Sequence, residues 1–430
     1  MHIDSRPSKC NGIIARQSLN SGATDDNESN KGKGESRAGA CTAHAIMRLM
    51  STVLPRWLMR LLVASATVMA VIGWFGLRIF GVRADWMAYY AAGHFVLERQ
   101  IANIYDFNSL QAWQAPLIGD FIIVFLYAPV YSLAFAPLAL LPVQIARVAW
   151  LVIGLATSLT AAWLSTRWSG LKTPVNVLAL LAFPPLVYSL AVGQISPITL
   201  LIFTFVASLE WREKRGYLPG LAAGLALYKP QLLIPLVLFW LFKKRWRSLT
   251  GFIFSAAMVG LISLLVSPQA TLAYLRLSQQ FMHMAEDTNA SGANASIYAI
   301  YPWAGILVAL GVIMVLFFVA HRGTNRYVYA MLWLAPVLVT PYIIIYDLLL
   351  LALPISILLP FLSRDRLLQI TIALIWITPL LAIVIQSTRP VTLSALGLFI
   401  LCAYRFFKIP FHESSTNEMM NHPASSQGNS

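Results

Sequence analysis

Apolar runs of roughly 20 residues recur from Trp57 to Phe406, broken by short clusters of basic, glycine and proline residues. A helix of that length crosses a hydrocarbon layer of ~30 Å. The runs lack the short alternation of a transmembrane barrel strand. The pattern predicts an all-α polytopic membrane protein with about twelve transmembrane helices. Basic clusters set its orientation, because Lys and Arg are retained on the cytoplasmic side. Arg48, Arg56 and Arg60 precede or begin the first run, which puts the N-terminus inside. A first span is expected over 57–80. The segment Gly81–Arg147 has no basic excess and is placed outside.

Within that segment, 121–141 is apolar but contains Pro129 and Pro137, with Pro142 just after. Proline removes a backbone donor and breaks or kinks a helix. Counted as a span, this run puts Arg212, Lys214 and Arg215 outside. Laid along the outer surface, it restores the positive-inside pattern. The remaining spans are expected near 147–166, 175–192, 197–210 and 217–228, then one ending at Lys243–Arg247. Further spans cover 249–267, end at His321-Arg322, rise to Thr340-Pro341-Tyr342, descend to Arg364-Asp365-Arg366, and flank Arg389-Pro390. Residues 268–301 read as a polar outer loop, with Met282–Ser296 small, polar and mobile in the manner of a substrate gate.

Composition agrees with this threading. The chain is 58% hydrophobic and 11% charged, against roughly 25% charged in soluble domains. The net charge of +14 is explained by cytoplasmic loops rather than by nucleic acid. Cys10, Cys41 and Cys402 form no CxxC pair and point to neither a disulfide nor a metal site. Residues 1–50 are expected to be a disordered cytoplasmic tail, with Met47 or Met50 as alternative starts, and they lack a signal-peptide pattern. Residues 51–410 are expected to form the membrane domain, and 411–430 a second disordered cytoplasmic tail.

The threading gathers Asp85, Gln194, Lys229, His283, Glu286, Asp287, Tyr342 and Asp347 at or near the outer face. Ionisable groups near membrane depth are functional candidates, since burial without a partner is costly. Asp85 lies beside Trp86, Tyr89 and Tyr90. It is either an acid in an interfacial aromatic belt or a general base, with Tyr89 and Tyr90 holding a sugar. Lys229 follows the small-residue run Gly220–Tyr228, which permits close helix packing. It either snorkels to the interface or neutralises a phosphate. Gln194 bonds across helices or contacts substrate. Asp347 pairs with a cation such as Lys229 or Arg276, or contacts the acceptor. His283 is a candidate for phosphate or proton traffic. Asn294-Ala295-Ser296 matches a glycosylation sequon.

No GxxxxGK[ST] phosphate loop is present, so nothing points to a nucleotide-sugar donor on the cytoplasmic side. An activated sugar outside the cytoplasmic membrane usually arrives on a lipid. A transporter or flippase of lipid-linked glycans is the alternative class. It calls for internal repeats and broken helices meeting at the midplane, and no repeat is visible. A non-catalytic scaffold would not need Asp85 with its tyrosines.

Several stretches carry a family resemblance. They run in order from Asp85-Trp86-x-x-Tyr89-Tyr90-x-Ala92 through Ile104-Tyr105-Asp106 to Phe125-Leu126-Tyr127-Ala128-Pro129, which leads to Phe135–Pro142. Gly193-Gln194-Ile195-Ser196-Pro197 and Ala223–Gln231 follow, then Thr340-Pro341 with Tyr346-Asp347-Leu348. Over roughly 56–406 the chain resembles glycosyltransferase family 87, polyprenyl-phosphate-mannose-dependent mannosyltransferases of the GT-C superfamily. The resemblance implies a GT-C-like bundle with surface helices in the first outer loop. It implies that Asp85 is the base of an inverting transfer; Lys229 is then the candidate for the donor phosphate, and Tyr89, Tyr90, Gln194, His283 and Asp347 are the candidates for substrate contact. No metal and no cofactor beyond the lipid-linked sugar donor is then required. The partners are that donor, a glycolipid or glycan acceptor and membrane lipids, with no nucleic acid. The site is expected to face the periplasm or cell exterior from the cell (inner) membrane.

Overall fold

The computed structural model describes residues 84–408 apart from 172, 213–215, 291–293, 300 and 386, with scattered positions between 57 and 73; for 280–290, 383 and 384 it describes the backbone alone. Both expected tails and most of the expected first span lie outside the described residues. The chain divides into Met1–Met59 and Arg60–Ser430, and every element below belongs to the second unit. Among the described residues all regular elements are helical, and one antiparallel bridge joins Asn294 to Ile344.

Among the described residues, four helices have the length and apolar composition to cross a membrane: Val143–Ser169, Trp246–Val266, Pro302–Arg322 and Arg389–Lys408. A bent pair, Thr173–Leu181 with Pro184–Val192, makes a fifth if it counts as one span. Shorter apolar helices, among them Ser196–Trp211 and Arg326–Val339, occupy other expected spans. The expected 175–192 span is therefore not straight. Pro184 and Pro185 withdraw backbone donors, and the two halves meet at 64°. Likewise 217–228 is helical only over Leu218–Gly224, and 347–361 alternates between 3-10 and α turns. The run 121–141 forms no long helix. It has no regular structure as far as Tyr127 and then makes short turns over Pro129–Ser132, Leu133–Phe135 and Ala136–Ala139.

The polar stretch 268–301 departs most from expectation. It is not a loop over most of its length: the helix Pro268–Ala290 fills it. Ala270 and Leu277 are buried while Leu272, Leu275 and Arg276 are exposed. One face thus packs inward at helical spacing. Interspersed small and polar residues gave this segment the composition of a loop, although Leu272 and Leu275 lie on its exposed face.

Two packing features place the site. Arg326–Val339 is buried on all sides from Val328 to Val339 and packs against Arg389–Lys408, Pro302–Arg322 and Ala352–Leu358. It is the central post of the bundle. The small-residue run packs closely, as expected. A Cβ on Gly220 would stand 1.8 Å from the Ser248 carbonyl oxygen, and one on Gly224 would stand 2.0 Å from Ser255 Cβ. Leu218–Gly224 therefore lies directly on Trp246–Val266, which fixes where the chain emerges at Lys229.

Candidate active site

Asp85 occupies the N-cap position of Trp86–Leu97 but makes no capping bond with its side chain. Its carboxylate is turned instead to Gln194, whose Nε2 donates to Asp85 Oδ2. Asp85 is half-buried. Burial holds its pKa above the ordinary carboxylate value; the Gln194 hydrogen bond and the Lys229 charge oppose that rise, and Asp347 adds to it.

The loop that presents Gln194 is built from the helix end before it. Pro184–Val192 stops at Gly193, which is left-handed at φ 70°, and Gln194 N–H returns to the Ser189 carbonyl at 2.9 Å. This is the 6→1 bond of a Schellman ending. Arg147 Nη2 donates to the Leu190 and Ala191 carbonyls, which a helix end leaves without partners. Trp150 Nε1 donates to the Gly193 carbonyl at 2.7 Å. Two side chains from one other helix, Val143–Ser169, thus hold one short turn.

Lys229 and Asp347 meet from separate segments. Lys229 precedes the 3-10 turn Pro230–Leu233, and Asp347 begins Asp347–Leu351. Lys229 Nζ is paired with Asp347 Oδ1 and lies 4.9 Å from the centre of the Tyr346 ring. Ser196 Oγ donates to the same carboxylate oxygen at 3.2 Å. Both charged side chains are buried. Asp347 therefore pairs with Lys229 and not with Arg276.

Asp85, Gln194, Lys229, Tyr342 and Asp347 all line one cavity of about 630 Å³. That volume lies in the range of small-molecule binding sites. Tyr89, Tyr127, Tyr188, Tyr228, Tyr274 and Tyr346 also line it, giving flat faces and hydroxyls for a sugar. The stretch Ile122–Val124 forms part of one wall. It is pinned by buried Gln114, whose side chain pairs with both the N–H and the carbonyl of Ile123, at 2.8 and 2.9 Å. Tyr274, Leu277 and Ser278 of Pro268–Ala290 line the same space.

One expected site residue falls elsewhere. Tyr90 is one helical step from Tyr89 and points away from the cavity. Its hydroxyl donates to the Leu141 carbonyl at 2.8 Å and its ring packs against Trp86, His94 and Trp113. The side chain of His283, like those of Glu286 and Asp287, lies outside the described residues. The sequon is a clamp. Buried Asn294 accepts from Ile343 N–H at 3.0 Å and donates to the Pro341 carbonyl at 3.1 Å, where Ser296 Oγ also donates. It anchors the segment that leads to Tyr346 and Asp347. Among the described residues no three His, Cys, Asp or Glu side chains group as metal ligands. Sequence reasoning missed Arg147, Trp150, Gln114 and Asn294, whose roles depend on partners far along the chain. Tyr127 and Tyr228 stood inside motifs already singled out.

Comparison with known proteins adds two findings. The family model for Glycosyltransferase family 87 matches residues 125–341, half of the chain. The match includes Tyr127, Gln194 and Lys229; Asp85 precedes it and Asp347 follows it. An alpha-(1->3)-arabinofuranosyltransferase of Mycobacterium tuberculosis, in two strains, is 31% identical over 149 residues, 33% of this chain and 34% of the relative. The chain thus spans about a third of the length of the curated relatives it matches. No solved structure matches.

Proposed function

The chain belongs to glycosyltransferase family 87, and from that premise we propose that it moves a sugar from a polyprenyl-phosphate donor to a glycolipid or glycan acceptor at the outer face of the cell (inner) membrane. Asp85 takes the proton of an acceptor hydroxyl. The hydroxyl oxygen bonds to the anomeric carbon from the face opposite the phosphate. The anomeric C–O bond breaks, and its electron pair leaves on the polyprenyl phosphate, inverting the centre. Lys229 neutralises the phosphate as charge gathers there. The remaining barrier is a matter of position. The observation that supports this reading most is a carboxylate freed from its helix cap and held in a cavity that also contains a buried lysine.

Mannose is the sugar proposed. The relative's name favours a second reading, in which the donor carries a pentofuranose. Protein purified into lipid nanodiscs is given labelled polyprenyl-phosphate mannose or polyprenyl-phosphate arabinofuranose with a membrane glycolipid extract. Whichever donor is consumed identifies the sugar. Asp85→Asn is expected to reduce transfer by about 100- to 10,000-fold, the usual contribution of a general base. Full transfer by that variant would refute the assignment of Asp85. Lipid movement across vesicles by both proteins, with transfer by neither, would make the protein a flippase.

A further inference from the structure

Each polar atom of the Gln194 side chain has a partner inside the protein. Its Oε1 accepts from Tyr89 Oη at 2.8 Å and from the Ile195 N–H at 3.3 Å. Its Nε2 donates to Asp85. A backbone N–H only donates, so turning the amide over would set two donors against each other. The protein thus fixes the orientation of this amide without help from a ligand.

The second layer is equally constrained. Tyr89 is 3% exposed. Its ring stacks on Tyr127 and Phe135, with centroids 5.9 and 4.9 Å away. Its hydroxyl spends its hydrogen on Gln194, so the 3.2 Å contact with Tyr127 Oη has Tyr127 as donor. The main chain of Gln194 is locked between the Gly193 turn and Trp150. A side chain that reorients onto substrate would need freedom to adjust, which the bonds on Oε1 and the bond to Asp85 remove. Gln194 is 8% exposed and its carbonyl oxygen already accepts two bonds.

We propose, on the reading that Asp85 is the base, that Gln194 is a positioning residue rather than a substrate ligand: its amide holds Asp85 Oδ2, leaves Oδ1 to take the acceptor's proton, and is itself aimed by the Tyr127–Tyr89 hydroxyl pair. The amide also stabilises the ionised carboxylate. Burial and Asp347 push Asp85 toward its protonated form, while Gln194 and Lys229 oppose them. The phenols of Tyr89, Tyr188 and Tyr346 also lie within electrostatic reach of it. Without the amide, Asp85 rotates more freely and holds its proton to higher pH.

The test measures kcat, both KM values and the pH profile of sugar transfer for Gln194→Leu, Tyr89→Phe and Asp85→Asn in nanodiscs. Losing a hydrogen bond to a charged group should lower kcat about ten- to a hundred-fold in Gln194→Leu. Both KM values should stay within about threefold, the pattern of an interaction that matters in the transition state. The acid limb should move to higher pH. Tyr89→Phe deletes one oxygen from a packed ring and should shift kcat and the acid limb in the same direction by less. It supplies the answer if Gln194→Leu does not fold. Raised KM with an unmoved kcat and acid limb, while Asp85→Asn is inactive, would make Gln194 a substrate ligand and overturn the inference. Undiminished transfer by Asp85→Asn would instead remove the base reading, and the positioning role with it.

Discussion

Replacing Gly193 with alanine adds one methyl group where backbone conformation and space both resist it. At φ 70° the residue is left-handed, which costs an L-residue roughly 1–2 kcal/mol. The new Cβ would stand 2.3 Å from Arg147 Nη1 and 2.6 Å from Trp86 Cβ. The guanidinium can swing aside, but doing so uncovers the Leu190 and Ala191 carbonyls. Trp86 Cβ cannot swing. It is bonded to the main chain next to Asp85, so relief there displaces the carboxylate. Overpacking of this kind costs roughly 1–3 kcal/mol, for a total of about 2–5 kcal/mol. A displacement of ~1 Å at a reacting group costs about a hundredfold in rate. Gly193→Ala should therefore unfold at lower temperature and lose about a hundredfold in kcat for transfer. Gly260→Ala is the control: it lies within Trp246–Val266, and a Cβ there meets nothing within 4 Å. That variant should gain up to ~1 kcal/mol from helix propensity and transfer as wild type does. If Gly193→Ala matched Gly260→Ala in both unfolding and rate, the steric account of the turn would be wrong.

Three further outcomes follow from other groups in the cavity. Lys229→Met strands the buried Asp347 carboxylate and should cost about 3–5 kcal/mol, whereas Lys229→Met with Asp347→Leu should cost less; unfolding measures the difference, and donor KM should rise in both, so an unchanged donor KM would remove Lys229 from the phosphate. Asp85's raised pKa predicts that transfer fails on the acid side at a higher pH than an exposed aspartate would set. The same shift has the opposite sign for folding. Asp85 favours the folded state below the unfolded carboxylate pKa, and that contribution is lost as pH rises through the folded value. Asp85→Asn should then unfold at higher temperature than wild type at neutral pH while failing to transfer, and equal or lower stability would contradict the direction of the shift. Gln114→Ala leaves the Ile123 N–H and carbonyl unpaired, at about 1–3 kcal/mol each; limited proteolysis within 121–127 should accelerate, and unchanged cleavage would show that this wall does not depend on Gln114.

The members of the cavity that the sequence revealed were those whose chemistry is rare in such a chain. In a protein with 11% charged residues, Asp85, Lys229 and Asp347 stand out at the ends of apolar runs, and topology alone brings them to one side. Gln194 stood out because a glycine precedes it and a proline soon follows. The helices were less legible, because a hydropathy pattern reports what can be buried and not whether the backbone stays straight. Pro184-Pro185 cut a helix inside a run that composition treats as continuous. Tyr89 and Tyr90 show the same limit at finer scale. Adjacent residues on a helix point about 100° apart, and nothing local states which faces the cavity. Pro268–Ala290 read as a loop because its polar and small residues outweigh its apolar ones, although Ala270, Tyr274 and Leu277 recur at the spacing of a packed helix. Gln114 and Asn294 were silent, since a side chain that bonds distant backbone looks the same in sequence as one in solvent.

The pairing within the cavity has a consequence for the proposed chemistry. Two carboxylates and one lysine share the space, and the lysine can pair closely with only one of them. Had Lys229 paired with Asp85, the carboxylate would have been held below its ordinary pKa and made a weaker base. Asp347 takes the lysine instead, with Ser196 donating to the same oxygen and Tyr346 beneath the ammonium. Asp85 is left with a neutral amide, and its pKa shift is upward. In the proposed transfer Asp85 gains a proton as the phosphate gains a charge, so negative charge moves across the cavity while its total stays constant. A lysine held at Asp347 favours that movement only if the phosphate arrives on the Asp347 side. In that transfer Asp347 keeps Asp85 available by occupying the lysine that would otherwise lower its basicity, while Gln194 aims the carboxylate.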